Sequence, residues 1–171
     1  MMNSVKKKKG VMLMKMKFEV EQDEELVQLP FNVSTYFEYR MNIFIFPNGH
    51  REEFCTSTFS ASILLDMAKG LIDIYEQTDR DFTVEMFEST YEYTFTYFQK
   101  LLTVTRYEGY NGETIEVLKC RFEDFVEGFV KEYKNYHTYI LKNDAHAFKD
   151  EYYCMMRDQI NQLHNHLNKT I

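Results

Sequence analysis

The chain has 171 residues, of which 44% are hydrophobic and 16% aromatic, and its formal net charge at pH 7 is −7. This composition excludes a disordered chain and indicates one globular domain that is long enough to bury a sizeable core. The acidic balance argues against a nucleic-acid partner, because contacts to phosphate need Lys and Arg, and no apolar run approaches the roughly 18 residues of a membrane span. Acidic charge favours association with a basic protein, although solubility is the simpler explanation.

No catalytic signature is recognisable in the chain, so we predict that it is not an enzyme and needs no cofactor. Its three cysteines, Cys55, Cys120 and Cys154, lie far apart without a CxxC pair. This predicts reduced thiols and a cytoplasmic protein rather than a disulfide framework. His164 and His166 frame a tripeptide that matches the name of a nuclease motif, but residues i and i+2 of a helix point about 200° apart and cannot share a metal. No metal site is therefore expected.

The first residues are strongly basic, with four consecutive lysines at positions 6–9. Residues 1–11 are interpreted as a disordered basic arm, as a tail attracted to membranes, or as sequence upstream of a translation start at Met12, Met14 or Met16. The folded domain is expected to span residues 12–171, with the sheet and one helix in 12–120 and two helices in 121–168. Its first strand follows the alternation of apolar and charged residues from Met12 to Val20.

The segment from Tyr36 to Phe59 predicts a β-hairpin around which the domain is built. Residues alternate with a period of two in its first half, which is the pattern of a half-buried strand. The apolar positions are Phe37, Tyr39, Met41, Ile43 and Ile45, and the polar positions are Glu38, Arg40 and Asn42. In the following turn Asn48 and Gly49 can adopt positive φ, and the more polar return run is typical of an edge strand.

Helical spacing of apolar residues predicts an amphipathic helix from about Ser60 to Gln77. Thr58 or Ser60 is expected to be its N-cap, because a hydroxyl there can accept a hydrogen bond from a free backbone N–H. Gly70 lies inside this helix, where glycine is less favourable than alanine. We therefore expect Gly70 to let the helix approach the sheet closely.

Alternating Tyr, Phe and Thr residues predict further strands between Asp79 and Cys120, with a turn at residues 108–112. The apolar period then changes to that of a helix from Phe122 to about Lys142, and a last helix is expected from about Ala145 to Leu167. Because their connection is short, these two helices are expected to pair. The residues expected to face inward on the last helix are Phe148, Tyr152, Met155, Met156, Ile160, Leu163 and Leu167.

Two residues of this region could carry chemistry. His137 lies on the apolar stripe of its helix and is interpreted as a hydrogen-bonded core histidine rather than a base or metal ligand. Cys120, at a junction between strand and helix, could be activated by a helix N-terminus, but a buried and inert thiol is the favoured interpretation. The core itself is expected to hold one cluster that contains Ile43, Leu64, Leu71, Phe125 and Phe129.

The order of elements predicts a single α+β domain with an antiparallel sheet, helices mainly on one face and a C-terminal helix pair. The sheet face turned away from the helices mixes aromatic and charged residues, which favours a protein-binding surface. The alternative is an ordinary solvated face, or one covered by residues 12–20 or by a dimer mate. The candidate partner-binding residues are Tyr36, Glu38, Arg40, Asn42, Phe44, Glu92, Thr94, Thr96 and Phe98.

The chain also resembles a known class of proteins. FEYRMNIFIF is followed by the helix SILLDMAKGLIDIYE, a Tyr- and Thr-rich β region and the helix RFEDFVEGFVKEY. This succession resembles small acidic α+β immunity proteins of bacterial polymorphic toxin systems over residues 12–139, and the last helix has no counterpart there. Proteins of that class are cytoplasmic and non-enzymatic, and each caps one cognate toxin. The resemblance therefore implies a protein partner, most concretely a basic toxin.

Three functions are compatible with these observations. The first is a non-enzymatic protein-binding domain, most concretely an immunity-type inhibitor that caps a basic toxin. The second is a structural or phage-related assembly protein that forms a homo-oligomer through its C-terminal helices. The third is an enzyme whose site is assembled from scattered residues. A neighbouring toxin gene would favour the first, a large symmetric assembly the second, and a deep pocket with convergent carboxylates or histidines the third.

Overall fold

The computed structural model describes residues 14–22, 24–27 and 29–169. The predicted arm at 1–11 and the start of the predicted first strand lie outside these residues. The strands are β1 (Met16–Val20), β2 (Met41–Ile45), β3 (Glu52–Ser57), β4 (Asp81–Glu85), β5 (Tyr91–Phe98), β6 (Leu101–Glu108) and β7 (Glu113–Arg121). The α-helices are α1 (Glu24–Val27), α2 (Val33–Glu38), α3 (Ser60–Tyr75), α4 (Phe122–Asn143) and α5 (Glu151–Lys169), with 3-10 turns at Pro47–Gly49 and Ala147–Lys149. None of the described helices is long and apolar enough to cross a membrane.

The strands form two antiparallel sheets rather than the one sheet that the sequence predicted. The first has the order β1-β2-β3 and the second the order β4-β5-β6-β7. Helix α3 packs on β4, while α4 packs on β1, β6 and β7, so the helices join the two sheets into one body. The α+β class, the antiparallel pairing and the C-terminal helix pair are thereby confirmed.

The segment before β2 is a helix, so the prediction that a strand begins at Tyr36 is wrong. Helix α2 begins after Asn32, whose side-chain oxygen accepts a hydrogen bond of 3.0 Å from the Thr35 N–H. Tyr36 turns into the core, where its ring lies 5.3 Å from that of Tyr136 and 5.2 Å from that of Tyr139. Burial, reinforced by these two phenols, raises the pKa of Tyr36 and keeps its hydroxyl protonated.

The predicted hairpin is confirmed from Met41 onwards. Asn48 and Gly49 adopt φ values of +54° and +82° in the turn, as their residue types allow. Strand β3 lies at the edge of its sheet, as its polar outer residues indicated.

A β-bulge in this hairpin connects the two sheets. The register between β2 and β3 shifts after Ile43, and Phe54 is left without a partner on β2. Its buried ring contacts Tyr93 and Phe95 of β5 at 5.7 and 6.1 Å and Phe125 of α4 at 5.9 Å. One side chain of the first sheet therefore completes the core of the second.

Helix α3 confirms the predicted apolar stripe but not the predicted cap. Its N-cap is Phe59, which has φ +54° and makes no side-chain capping bond. The Ser60 hydroxyl instead lies 3.0 Å from the Tyr136 hydroxyl, inside the core. The close approach expected at Gly70 is confirmed, because a Cβ there would overlap the Phe82 ring of β4.

Helix α4 matches its prediction, whereas the last helix begins at Glu151 instead of Ala145. Helix α5 packs on both α3 and α4 and buries Tyr153, Met156, Ile160 and Leu163. The prediction that Phe148, Tyr152 and Met155 face inward is wrong, since these side chains are 54%, 54% and 43% exposed. The rest of this prediction is confirmed, because Met156, Ile160 and Leu163 are buried and Leu167 packs against the core.

The edge strand β1 is tied to α4 by a buried carboxylate. Glu132 accepts a hydrogen bond of 3.0 Å from the Phe18 N–H through one oxygen and a bond of 2.7 Å from the Asn135 amide through the other. A backbone donor that an edge strand would leave open is thereby satisfied. The predicted core is confirmed as well: Ile43, Leu64, Leu71, Phe125 and Phe129 belong to one buried cluster.

Candidate protein-binding face

The nine candidate binding residues do not share one face, because the two strands that carry most of them belong to different sheets. Tyr36 is buried in the core, and Glu38 is exposed at the end of α2. Arg40 precedes β2 and forms an ion pair of 2.7 Å with Glu88. The prediction of a common face is wrong for these three residues, since the chain that holds them is not a strand.

Asn42 and Phe44 lie on the outer face of the three-stranded sheet, which is already occupied by its own polar contacts. Asn42 donates a bond of 2.8 Å to Glu21 and accepts one of 2.8 Å from Thr56. The Arg51 guanidinium covers the Phe44 ring at 3.7 Å. These groups satisfy one another, so this face has the character of an ordinary solvated surface.

The other four candidates share the outer face of the four-stranded sheet, as predicted. On β5, Tyr93 and Phe95 point into the core, while Glu92, Thr94, Thr96 and Phe98 point to the opposite side. We call this side the open face. The register adds residues from the neighbouring strands, namely Asp81, Thr83, Glu85, Leu101, Thr103, Thr105, Tyr107, Thr114, Glu116, Lys119 and Arg121.

The middle of the open face is built from threonines. Thr83, Thr94 and Thr105 lie side by side across three strands, and the hydroxyls of Thr83 and Thr94 are 3.0 Å apart. Thr96 and Thr103 form the adjacent pair on β5 and β6. Threonine side chains are short and polar, and their β-branched form restricts χ1 and packs well on a pleated sheet. The middle of the open face is therefore polar and conformationally restricted.

The two ends of the open face differ in charge. At one end Glu85 and Glu92 are directly opposed across β4 and β5, and Tyr107, which is 40% exposed, pairs with Glu92 on the other side. Glu116 lies on β7 beside Thr105. Within the described ranges none of these three carboxylates forms an ion pair, and like charges placed opposite each other cost stability.

The other end of the open face is apolar and basic. Phe98 and Leu101 are paired at the turn between β5 and β6 and are 61% and 40% exposed. Lys119 and Arg121 follow on β7. A surface with one acidic end, one apolar and basic end and a rigid middle has the mixed polarity of a protein-binding face.

The residues that could have carried chemistry are held by structural contacts. The His137 ring stacks on Tyr153 at 3.8 Å, and its Nε2 lies 3.0 Å from the Tyr153 carbonyl oxygen. Burial raises the pKa of the Cys120 thiol to about 12, which is the opposite of activation. All three cysteines are free thiols. Among the described residues, no three His, Cys, Asp or Glu side chains are grouped so that they could hold a metal ion.

The chain matches no protein-family model, no curated protein and no solved structure.

Sequence reasoning missed the β6 contribution to the open face and a cleft on the inner side of the same sheet. The sequence does contain a signal for Thr103, Thr105 and Tyr107, because they alternate along β6 on the same side as the outer residues of the neighbouring β5. Arg106 carried a clearer signal. On β6, Arg106 points to the same inner side as the buried Leu102 and Val104. At such a position an alternating strand normally has an apolar residue.

Proposed function

We propose that the protein is a binding domain that docks a basic surface of a partner protein onto its open face. The uncompensated carboxylates of Glu85, Glu92 and Glu116 around Tyr107 support this proposal most directly. A basic partner would relieve their mutual repulsion and would be steered towards them over distances of about a Debye length. Tyr107 and Phe98 would supply the aromatic contacts in which binding energy is concentrated at many interfaces.

In its most concrete form, the proposal is an immunity-type inhibitor that caps a basic toxin in the cytoplasm. The resemblance in element order and the acidic charge support this form. The rigid threonine centre suits it too, because a preformed surface avoids the cost of ordering loops on binding. A gene for a secreted toxin beside the gene for this chain would support the proposal.

The experiment compares two variants that change the charge by the same amount. Glu85→Lys/Glu92→Lys alters the acidic end of the open face, whereas Glu38→Lys/Glu127→Lys alters exposed carboxylates on helices α2 and α4. A partner is recovered by pull-down from the native host, and its association with both variants is followed at low and high salt. We expect the open-face variant to associate roughly tenfold more slowly at low salt and the difference to shrink as salt rises.

Several results would contradict this proposal. Equal slowing by both variants would mean that only the net charge matters. Because Glu92 is half-buried, circular dichroism and urea unfolding of both variants check that slow binding is not caused by unfolding. Recovery of no partner, together with turnover of a small molecule by the purified chain, would favour the enzyme instead.

A second candidate function is assembly through helix α5, and one observation favours it. Tyr152 and Met155, one helical turn apart on α5, are exposed apolar residues, and Phe148 in the preceding 3-10 turn is exposed as well. We call these three residues the exposed apolar stripe. A second copy of the chain could bury this stripe. Sedimentation velocity over a wide range of concentrations tests this candidate: we expect Tyr152→Ser/Met155→Ser to abolish any oligomer, and a monomeric wild type would eliminate the candidate.

A further inference from the structure

A cleft of about 460 Å³ lies between the two sheets, on the inner side of the sheet whose outer side is the open face. We call it the inter-sheet cleft. Its aromatic lining comes from Phe54 of β3, Phe87 of the turn after β4, and Tyr91 and Tyr93 of β5. This volume lies within the range of roughly 300–1,000 Å³ that is usual for small-molecule sites.

Arg106 gives the inter-sheet cleft its distinctive chemistry. It follows Leu102 and Val104 on the inward phase of β6, and both of these residues are fully buried. Its guanidinium lies over the Tyr91 ring, with the Cζ atom 4.4 Å from the ring centroid. Within the described part of the chain Arg106 has no ion pair. A half-buried guanidinium that lies over an aromatic ring and forms no ion pair with the described residues can bind an anion.

The other polar groups of the cleft are already engaged. Arg40 is paired with Glu88 at 2.7 Å. The Ser57 hydroxyl accepts a bond of 2.8 Å from the Phe87 N–H. Arg106 also interacts with Tyr93, since its hydrogen bond and charge oppose the rise that burial causes in the pKa of that phenol. A guanidinium has five N–H donors, so further donors remain for a ligand.

We propose that the inter-sheet cleft binds a small organic oxyanion with a flat apolar body. Its carboxylate or phosphate group pairs with the Arg106 guanidinium, and its body packs on the aromatic lining. Arginine matches the planar, two-pronged geometry of such groups better than lysine does. The site is separate from the proposed protein-binding function, because Arg106 points to the side of β6 opposite Thr105 and Tyr107.

The acidic charge of the chain does not oppose such a site. At physiological ionic strength the Debye length is about 8 Å, so the groups that line the cleft set the potential that a ligand meets. Glu88 is neutralised by Arg40, and Glu53 at the cleft is exposed to solvent. The guanidinium of Arg106 is therefore the one positive charge of the described cleft lining that forms no ion pair.

The probes are benzoate, its neutral isostere benzamide, and inorganic phosphate. Binding to the full chain is followed by NMR, using the Nε–Hε signal of Arg106 and the ring signals of Tyr91 and Tyr93. Ligands of this size bind weakly, so we expect saturable shifts with benzoate at about 1–10 mM. Benzamide should cause no saturable shift, and phosphate should bind at least several-fold more weakly. Equal binding of benzamide would overturn the need for an anion, and equal binding of phosphate would overturn the need for an apolar body.

Three variants locate the site. Arg106→Met keeps a long, flexible side chain over Tyr91 but removes the charge, and we expect it to abolish benzoate binding. Arg121→Met is the matched control, since Arg121 is exposed on the opposite face, and it should bind as wild type does. Glu88→Gln releases Arg40 and should tighten benzoate binding by about two- to fivefold, the range of a partly exposed ion pair.

The gain expected from Glu88→Gln keeps the proposal testable if Arg106→Met does not fold. Benzoate binding that is unchanged in Arg106→Met, or that is lost equally in Arg121→Met, would overturn the proposal. Unchanged or weaker binding in Glu88→Gln would also overturn it, because an anion bound in the inter-sheet cleft must respond when a negative charge is removed from the lining.

Discussion

His137 shows how burial fixes the protonation state of a single residue. Its ring lies between helices α4 and α5, stacked on Tyr153, and its Nε2–H can donate to the Tyr153 carbonyl. Burial lowers the pKa of His137, the hydrogen bond to Tyr153 opposes this shift, and the nearby charge of Arg157 adds to it. The folded protein therefore holds His137 neutral over a range of pH in which the unfolded chain binds a proton.

This difference predicts how stability depends on pH. Because the folded-state pKa is depressed, the unfolded state binds the extra proton, and stability falls as pH drops below the unfolded value of about 6.5 towards the folded value. We expect His137→Gln, which retains a donor for the Tyr153 carbonyl, to flatten the dependence between about pH 7.5 and 5.5. Urea unfolding across this range measures it. The exposed His50→Gln is the control, and a wild-type slope in His137→Gln would show that His137 does not carry the effect.

At the scale of elements, the contact between α3 and β4 depends on a missing side chain. A Cβ at Gly70 would overlap the Phe82 ring, which cannot move easily because it stacks on the Phe95 ring at 4.6 Å. Helix propensity alone predicts that Gly70→Ala stabilises the protein by about 1 kcal/mol. The overlap with Phe82 reverses this sign, and we expect a net destabilisation of about 1–3 kcal/mol.

Urea midpoints of Gly70→Ala in two backgrounds test the cause. In the Phe82→Ala background the obstacle is gone, so the same substitution should become neutral or stabilising. A destabilisation that persists without the Phe82 ring would mean that Gly70 is required for another reason. Stabilisation in the wild-type background would mean that the helix and the sheet are not in close contact at this point.

Elements with one consistent pattern could be predicted from the sequence, and those with two competing patterns could not. Strands β5 and β6 each keep one alternation along their length, and β7 does so on either side of a bulge at Val117. The alternation of β5 therefore predicted correctly which of its residues reach the open face. The apolar residues within 33–39 fit both the helical period and the period of two that is typical of a strand. Val33, Tyr36 and Phe37 have helical spacing behind the Asn32 cap, but Phe37 and Tyr39 also continue the alternation of β2. The hydrogen bond that Asn32 accepts from the first turn stabilises the helix. Asn32 is a recognisable helix-start signal in the sequence.

The inward face of helix α5 was predicted only in part, for a different reason. Phe148, Tyr152 and Met155 are as apolar as the residues that are buried, so composition does not distinguish the two stripes. Only packing against α3 and α4 decides which stripe faces inward, and this contact joins residues far apart in the chain. Gln159 illustrates the point: it donates to the Leu65 carbonyl and accepts from the Tyr133 hydroxyl, two bonds that fix the rotation of the helix.

At the scale of the whole molecule, the division of the strands into two sheets is the feature that local sequence patterns could not predict. The turn and the alternation within each hairpin predict how its own two strands pair. No local sequence pattern predicts whether β3 also pairs with β4 or belongs to a separate sheet. The bulge at Phe54 is the physical reason why one core serves both sheets, since the Phe54 ring is shared by β5 and α4. The same arrangement leaves the inter-sheet cleft beside that ring.

A shared core predicts that the two sheets unfold together. Native-state hydrogen exchange can compare the amides of Ile43 in β2 and Val104 in β6, two residues whose side chains are buried. We expect Phe54→Ala to cost about 3–5 kcal/mol and to lower the opening free energy of both amides by similar amounts, because the lost contacts belong to both sheets. Phe148→Ala, which removes an equal ring from an exposed position, should change both values by about 0.5 kcal/mol or less. If Phe54→Ala weakened Ile43 alone, the four-stranded sheet would be an independently stable unit, and the cleft between the sheets would be a boundary between two domains rather than a site within one.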